Sequence, residues 1–162
     1  VGIVGARLFY EDGTIQHAGV IVGIQGVAGH AFAGQAHESP GYFGRAIIAH
    51  DCSAVTAACM LVKKEAFDKV HGFDPKLAVA FNDIDFCLKV RKAGYLVVYN
   101  PYAQFYHYES KSRGLEDSAD KVARFQQEIA LFGSHWEDIL EHGDPYYNPN
   151  LTLDKADFSL KE

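Results

Sequence analysis

The sequence predicts an α/β domain in which a mixed sheet is flanked by helices. Apolar segments with the alternation or continuous apolar character of strands occur near the N-terminus, near residue 55 and near residue 100. Between and after them, apolar residues recur at helical spacing. The chain has 162 residues, 48% of them apolar and 22% charged, which is enough for one globular domain with a sizeable core.

Composition excludes some classes of function. The net charge of −6 argues against a nucleic-acid partner, which would require a basic surface. Cys52, Cys59 and Cys87 cannot all pair and form no Cys-x-x-Cys, so we expect free thiols and a reducing, cytoplasmic compartment. The longest apolar run, residues 54–62, is too short to span a bilayer.

The first third of the chain predicts a hairpin followed by a loop. Residues 4–22 contain Asp12-Gly13, a strong signal for a tight turn, and the return strand is interrupted by Gly19. Residues 23–45 are rich in Gly and Ala without a clear period, which predicts a long loop.

The middle of the chain predicts a buried strand and two helices. Residues 53–62 are almost continuously apolar, which is typical of a strand buried on both faces. A short helix is expected over residues 63–70. A longer helix should begin with Asn82 as N-cap and Asp85 three residues later, a variant of the capping box, and end at Gly94.

The last third predicts strands and then helices. Residues 95–99 and 103–106 are expected to be strands separated by a turn at Asn100-Pro101. Residues 118–132 have an amphipathic helical pattern followed by Gly133, and Ser134 is expected to cap a short helix ending at His142. The turn-rich residues 144–150 should be irregular.

Asp83 is the candidate general base. An ionised carboxylate in the first turn of a helix, at the edge of a pocket, could accept a proton from an attacking hydroxyl. The alternative is that Asn82, Asp83 and Asp85 only cap the helix. Asp83-Ile84-Asp85 also spells Asp-x-Asp, a metal-binding pattern, but two acids this close in a first turn face different sides. We therefore expect Asp85 to hold a neighbouring backbone or side-chain group.

His107 is the candidate metal ligand. It follows a predicted strand and precedes a polar loop that carries Lys111 and Arg113. A neutral imidazole suits a metal ion, and lysine and arginine suit phosphate oxygens. The other seven histidines lack the spacing of a structural zinc site.

Several segments, in this order and spacing, resemble the C-terminal half of family 2 glycosyltransferases with the GT-A fold. The resemblance is nearest to bacterial rhamnosyltransferase-like enzymes of O-antigen and other surface-polysaccharide synthesis, and it covers nearly the whole chain. The segments that carry it are Asp12-Gly13 with His17-Ala18-Gly19, residues 53–62, Gly72-Phe73-Asp74, residues 81–88, Gly94-Tyr95, residues 107–114 and residues 144–150.

The resemblance implies inverting transfer of a sugar from a nucleotide-sugar donor to a saccharide or lipid-linked saccharide acceptor. It implies that Asp83 is the catalytic base and that His107 helps to bind Mg²⁺ or Mn²⁺. Asn82 stands where the family's motif often has Glu. The substrate-binding residues implied are Asn82 and Asp85 beside the base, Ala57 and Ala58 near the donor sugar, and Ser112 and Arg113 near the diphosphate.

The resemblance also implies a larger protein. The family's nucleotide-binding strands and its metal-binding Asp-x-Asp would precede residue 1, so residues 1–162 would form the C-terminal, acceptor-side portion of one catalytic domain with a partial GT-A fold. We expect this portion to be inactive alone, to bind nucleotide weakly, and to associate with itself through apolar surface left uncovered. The full-length protein would work at the inner face of the membrane.

Two alternatives remain. The first is a non-catalytic saccharide-binding or assembly module of a larger polysaccharide-synthesis protein. The second is a calcium-binding module that uses the acids near Asp74 and Asp83, although EF-hand spacing is absent from the sequence.

Overall fold

The computed structural model describes residues 1–108 and 119–161 as a mixed α/β fold, and it confirms the predicted mixed sheet with helices. The strands are β1 (Ile3–Phe9), β2 (Ile15–His17), β3 (Val20–Val22), β4 (Ala28–His30), β5 (His50–Asp51), β6 (Met60–Val62) and β7 (Val97–Tyr106). One sheet has the strand order β2-β1-β7-β5, with β6 also paired to β1, and a second sheet pairs β3 with β4. The helices are α1 (Lys64–Lys69), α2 (Asn82–Lys92), α3 (Ala119–His135) and α4 (Glu137–His142).

The sheet is mixed because β1 lies parallel to β7 and antiparallel to β2 and β6. The register of β1 and β7 jumps: Ala6 faces Asn100 and Arg7 faces Gln104. The expected turn at Asn100-Pro101 is therefore wrong, because the chain bulges there and continues as the same strand. Proline, which has no N–H to donate, is tolerated where the ladder is interrupted.

The N-terminal hairpin is confirmed, with Leu8 opposite His17 and Phe9 opposite Ile15. Gly19 ends the return strand in a left-handed conformation with φ 96°, which turns the chain out of the main sheet. Residues 23–45 were expected to form a loop, but they contain β4, which pairs with β3. This short second sheet forms one side of the cavity described below.

The predicted strand over residues 53–62 is wrong for most of its length. Only Met60–Val62 is a strand, and Leu61 within it is 75% exposed. Residues 57–59 form a 3₁₀ turn, and the Thr56 hydroxyl accepts the N–H of Ala58 at 3.3 Å. A side chain that bonds its own backbone in this way competes with a sheet ladder.

Helices α1 and α2 lie where the sequence predicts them, but the start of α2 differs. Its N-cap is Phe81 in a left-handed conformation (φ 60°), with no side-chain capping bond. The expected capping box of Asn82 and Asp85 is therefore wrong. The end is as predicted, with Gly94 at φ 91° after the last turn.

Helix α3 is longer than predicted. It runs through Gly133 and Ser134 to His135, so neither residue marks a helix boundary, and Trp136 is the N-cap of α4. The last turn of α3 is stabilised by packing, because Phe132 is fully buried and lies 5.4 Å from the Phe81 ring. Helix α4 ends at His142, as predicted.

The C-terminal segment is irregular, as predicted, but it is anchored to the core. Buried Asp144 accepts the Val22 N–H at 2.9 Å and the Ser53 hydroxyl at 2.6 Å. Ser53 in turn accepts a hydrogen bond from Arg91 at 3.0 Å. A single buried carboxylate thus connects the tail, the second sheet and α2.

The three cysteines are free, as predicted. Burial, followed by the charge of Asp144, raises the pKa of Cys52 to about 12, and burial raises the pKa of Cys87. Neither thiol is therefore suited to act as a nucleophile at neutral pH. In residues 1–108 and 119–161, none of the helices has the length and apolar character needed to cross a membrane.

Candidate functional site

A cavity of about 370 Å³ lies where the start of α2 meets the ends of β2, β4 and β7. Asp83 and His107, which lie 24 positions apart in the sequence, both line it. We call it the acid–imidazole cavity. Its lining residues are Gln16, Ala28, His30, Thr56, Val79, Ala80, Phe81, Asp83, Ile84 and His107.

The carboxylate of Asp83 is oriented by two backbone amides. Its Oδ2 accepts the N–H of Ala57 at 3.0 Å, and its Oδ1 accepts the N–H of Ile84 at 2.9 Å. Each oxygen keeps a lone pair that can accept a further proton. The side chain is half-buried at the cavity wall, so its direction is fixed while it stays accessible.

Ala57 and Ala58 lie beside this carboxylate. Both are exposed and belong to the 3₁₀ turn that follows Thr56. The N–H of Ala57 binds Asp83, but neither alanine is among the lining residues of the cavity. A substrate role for these two residues therefore stays a prediction.

His107 is held by Gln16 on β2. The Nδ1 atom of His107 lies 2.9 Å from Oε1 of Gln16, and Nε2 of Gln16 donates to the main-chain oxygen of His107 at 3.2 Å. His30 has a similar contact, because its Nδ1 lies 2.9 Å from the main-chain oxygen of Gln16. Two imidazoles of one cavity therefore depend on one residue.

Asp85 and Asn82 do not line the cavity. Asp85 is 1% exposed; its Oδ1 accepts the indole N–H of Trp136 at 2.9 Å, and its Oδ2 pairs with Lys89 at 3.1 Å. The structure thus gives Asp85 the role of holding a neighbouring side chain. Asn82 is the first residue of α2, next to Asp83 in the sequence but outside the cavity lining. The structure offers no support for substrate contacts by either residue.

Ser112 and Arg113, the expected diphosphate contacts, lie outside the described residues. In the part of the chain that the structure describes, no group of three or more His, Cys, Asp or Glu side chains could hold a metal ion. The metal role of His107 stays a prediction, and the described residues do not support a calcium site near Asp74 and Asp83.

Glu128 was not predicted from the sequence, although it binds the backbone of a segment that lines the cavity. This residue of α3 is 3% exposed, and its carboxylate accepts the N–H groups of Ala78, Val79 and Ala80 at 2.8–3.1 Å. A usable signal was present, because Glu128 lies on the apolar face of the helix that carries Phe125 and Phe132.

Gln16 and His17 were also missed. Gln16 is 2% exposed and His17 is fully buried, and no spacing rule marks either residue in the sequence. Nε2 of His17 accepts the N–H of Gly19 at 3.4 Å and that of Thr56 at 3.5 Å. Burial, followed by the nearby His30, lowers the pKa of His17 well below its usual value, so this ring is neutral at pH 7.

The chain is similar to proteins of bacterial polysaccharide synthesis. It is 52% identical to an uncharacterized protein of Sinorhizobium fredii, over 99% of this chain and 18% of that protein. It is 35% identical to the O-antigen biosynthesis protein RfbC of Myxococcus xanthus, over 99% of this chain and 12% of that protein. A 78-residue part, 48% of this chain, is 33% identical to the N-acetylglucosaminyl-diphospho-decaprenol L-rhamnosyltransferase of Mycobacterium tuberculosis and covers 25% of that enzyme.

The chain is therefore related to O-antigen biosynthesis and rhamnosyltransferase proteins, and it spans only 12–25% of the length of these curated relatives. No family model matches it, and no solved structure matches it.

Proposed function

We propose that this chain is the acceptor-side portion of an inverting glycosyltransferase with a GT-A catalytic domain. It would help to move a sugar from a nucleotide-sugar donor to a saccharide acceptor in bacterial surface-polysaccharide synthesis. The observation that carries the proposal is that Asp83 and His107 line one cavity, with the Asp83 carboxylate oriented by the Ala57 amide. The names of two relatives support the class of substrate.

In this proposal the oxygen of the acceptor hydroxyl bonds to the anomeric carbon of the donor sugar. Asp83 removes the proton of that hydroxyl in the same step. The bond from that carbon to the diphosphate oxygen breaks, and the nucleoside diphosphate leaves with the electron pair. Because the acceptor attacks from the face opposite the leaving group, the anomeric configuration inverts. A base already oriented by two amides is suited to this step.

His107 would contribute one ligand to a divalent metal ion, Mg²⁺ or Mn²⁺. Its ring fits this role because Nδ1 is occupied by Gln16, which leaves Nε2 as the coordinating atom. A bound ion of this kind stabilises the negative charge that develops on a leaving diphosphate. Ser112 and Arg113 would contact the same diphosphate, and Ala57 and Ala58 would leave room for the donor sugar.

The nucleotide-binding strands and the remaining metal ligands would lie outside this chain, in a longer protein at the cytoplasmic face of the membrane. The short coverage of the relatives is consistent with such a division. Residues 1–162 alone should therefore bind a nucleotide-sugar weakly and could self-associate. Tight binding of nucleotide-sugar to residues 1–162 in a calorimetric titration would contradict this division.

The experiment that tests the base compares Asp83→Asn with the unaltered protein, expressed with its flanking sequence, in a sugar-transfer assay. We expect the rate to fall by about 10²–10⁴-fold, the contribution of a well-placed base. Asp120→Asn is the matched control, because Asp120 is an exposed acid in the first turn of α3. Near-normal transfer by Asp83→Asn would overturn the assignment.

The metal role is tested separately with His107→Ala, by measuring transfer across a Mn²⁺ titration. We expect a higher Mn²⁺ concentration for half-maximal rate. An unchanged metal dependence would remove His107 from the metal ligands.

One observation favours the alternative of a non-catalytic saccharide-binding module. Aromatic side chains that could stack on sugar rings are exposed at the end of β7: Tyr102, Phe105, Tyr106 and Tyr108. Saccharide binding that is unaffected by Asp83→Asn, together with absence of transfer in the unaltered protein, would favour this module over the enzyme.

A further inference from the structure

The side chain of Gln16 forms a two-way bridge to His107. Its Nε2 donates to the main-chain oxygen of His107 at 3.2 Å, and its Oε1 lies 2.9 Å from Nδ1 of the ring. An amide nitrogen can only donate and an amide oxygen can only accept. The first bond therefore fixes the orientation of the amide, and the second requires a hydrogen on Nδ1 of His107.

His30 is held in the same tautomer by a different atom of the same residue. Its Nδ1 lies 2.9 Å from the main-chain oxygen of Gln16, which can only accept. In the neutral form of each ring, Nε2 is therefore the unprotonated nitrogen. The cavity thus contains two imidazoles with the same tautomer, one set by a side chain and one by the backbone.

We propose that Gln16 is a positioning residue that fixes the tautomer of His107, so that the lone pair of Nε2 is available to a divalent metal ion. Gln16 is buried, its Nε2 binds the main-chain oxygen of His107, and its Oε1 is the acceptor that faces Nδ1 of the ring. Metal-binding histidines depend on such an outer bond for tautomer and orientation. The assignment of the tautomer can be tested without any catalytic activity. The metal-binding role that the tautomer would serve rests on the proposed function.

A purely structural role for Gln16 makes a different prediction. The bridge joins β2 to the end of β7, so its loss would lower stability whatever the tautomer of the ring. The two roles separate when the tautomer is measured directly, and His30 provides an internal reference because its partner is a main-chain atom.

The test uses ¹⁵N-labelled histidine and two-bond N–H correlation spectra at about pH 8, where ordinary histidines are neutral. In the unaltered chain both His30 and His107 should carry the hydrogen on Nδ1. In Gln16→Met, which keeps the length of the side chain, His107 should lose this preference while His30 keeps it. A hydrogen on Nε2 of His107 in the unaltered chain, or an unchanged His107 in Gln16→Met, would overturn the proposal.

Two further variants serve as controls for the effect of Gln16→Met. Gln16→Glu keeps an acceptor oxygen for Nδ1 and should retain the tautomer of His107 even though the donor to its main-chain oxygen is lost. Gln127→Met removes an exposed glutamine of α3 and should change neither ring. If Gln16→Met does not fold, the unaltered chain and Gln16→Glu still decide the matter, because loss of the Nδ1 hydrogen in either contradicts the bridge.

The purpose of the bridge is tested in the transferase assay with flanking sequence. Gln16→Met should raise the Mn²⁺ concentration for half-maximal transfer by about 10–100-fold, with the rate largely restored at saturating metal. A reduced rate with unchanged metal dependence would overturn the metal purpose. Absence of transfer in the unaltered protein would contradict the proposed function, while the spectra would still support or overturn the tautomer assignment.

Discussion

The first turn of α2 has two sides, and each presents one aspartate to a different environment. On the outer side, Asp83 lines the acid–imidazole cavity and binds the Ala57 amide. On the inner side, Asp85 is 1% exposed and binds Trp136 and Lys89, with His135 3.4 Å away. Since successive helical residues turn by about 100°, residues two apart face nearly opposite directions.

This contrast shows that residue type and spacing do not assign a role to an acid. Asp83 and Asp85 have the same chemistry, the same helix and the same turn. Their partners differ because the segments packed on the two sides differ: the 3₁₀ turn at residues 57–59 on one and the junction of α3 and α4 on the other. The outer acid is therefore suited to chemistry and the inner one to stability.

The largest expected effect comes from replacing each aspartate by alanine. Asp85→Ala should lower the free energy of unfolding by about 2–4 kcal/mol, because it leaves the Trp136 indole N–H and the Lys89 ammonium without their partner. Asp83→Ala should cost about 1 kcal/mol or less, the usual worth of an accessible acid in a first turn. Urea denaturation followed by Trp136 fluorescence measures both.

The same pair of variants can contradict the division of roles. If Asp83→Ala is the more destabilising change, the outer carboxylate is primarily structural and the cavity assignment loses its basis. Trp136 is the single tryptophan of the sequence, so its emission also reports directly whether the Asp85 contact has been lost.

A smaller effect is expected at Glu128, which supports the outer side of the turn through the amides of residues 78–80. Glu128→Gln should lower the free energy of unfolding by about 1–3 kcal/mol. The carboxylate accepts three N–H groups with two oxygens, whereas the glutamine amide has one acceptor oxygen and a nitrogen that only donates. Hydrogen exchange should accelerate at Ala78, Val79 and Ala80 before the rest of the fold.

The matched control is Glu137→Gln, since Glu137 is an exposed acid in the first turn of α4. It should change neither stability nor exchange at residues 78–80. Unchanged exchange at those three amides in Glu128→Gln would show that the cavity wall does not depend on this carboxylate.

The smallest effect concerns His17, which is buried and neutral and packs against His30, a lining residue of the cavity. Its pKa is lower in the folded chain than the usual 6.5, so the unfolded chain binds the proton more readily. Stability should therefore be fully present above about pH 6.5 and decline as the pH falls toward the folded pKa, by up to about 1.4 kcal/mol per pH unit. Urea denaturation at several pH values between about 5 and 8 measures this slope.

His17→Gln should flatten that slope, because glutamine can still accept a backbone N–H but does not titrate. Burial also lowers the pKa of His50, which adds a contribution of the same sign, so His50→Gln is the informative comparison. An acid slope that is unaltered in His17→Gln would show that other groups dominate the acid response of the fold.

Much of the fold could be predicted because its signals are local. The hairpin at Asp12-Gly13, the ends of α1 and α2, and the irregular tail follow from turn residues and glycines acting within a few positions. The failures share one cause. Helix α3 passes through Gly133 because Phe132 and Trp136 are held by residues elsewhere, and β7 passes through Pro101 because β1 pairs on both sides of the bulge.

The candidate site was predicted in part. Asp83 and His107 were identified from their positions in the sequence and again from the resemblance; they lie on one cavity, although their roles remain predictions. Asp85 and Asn82 were assigned to substrate from the resemblance alone, and neither lines the cavity. Glu128 and Gln16 were missed because a supporting residue is recognised by its partners, and those partners are distant in the sequence.

The sequence by itself determined the class of fold, the end of its central helix and the free thiols, and it marked the acid and the imidazole that line the cavity. Only the tertiary structure decided which acid faces the cavity, what orients it, and how the imidazoles are held. The reason is distance along the chain: the deciding hydrogen bonds join residues 26, 51 and 91 positions apart. Local propensity acts within a turn or two, so bonds of this range form only once the whole chain has packed.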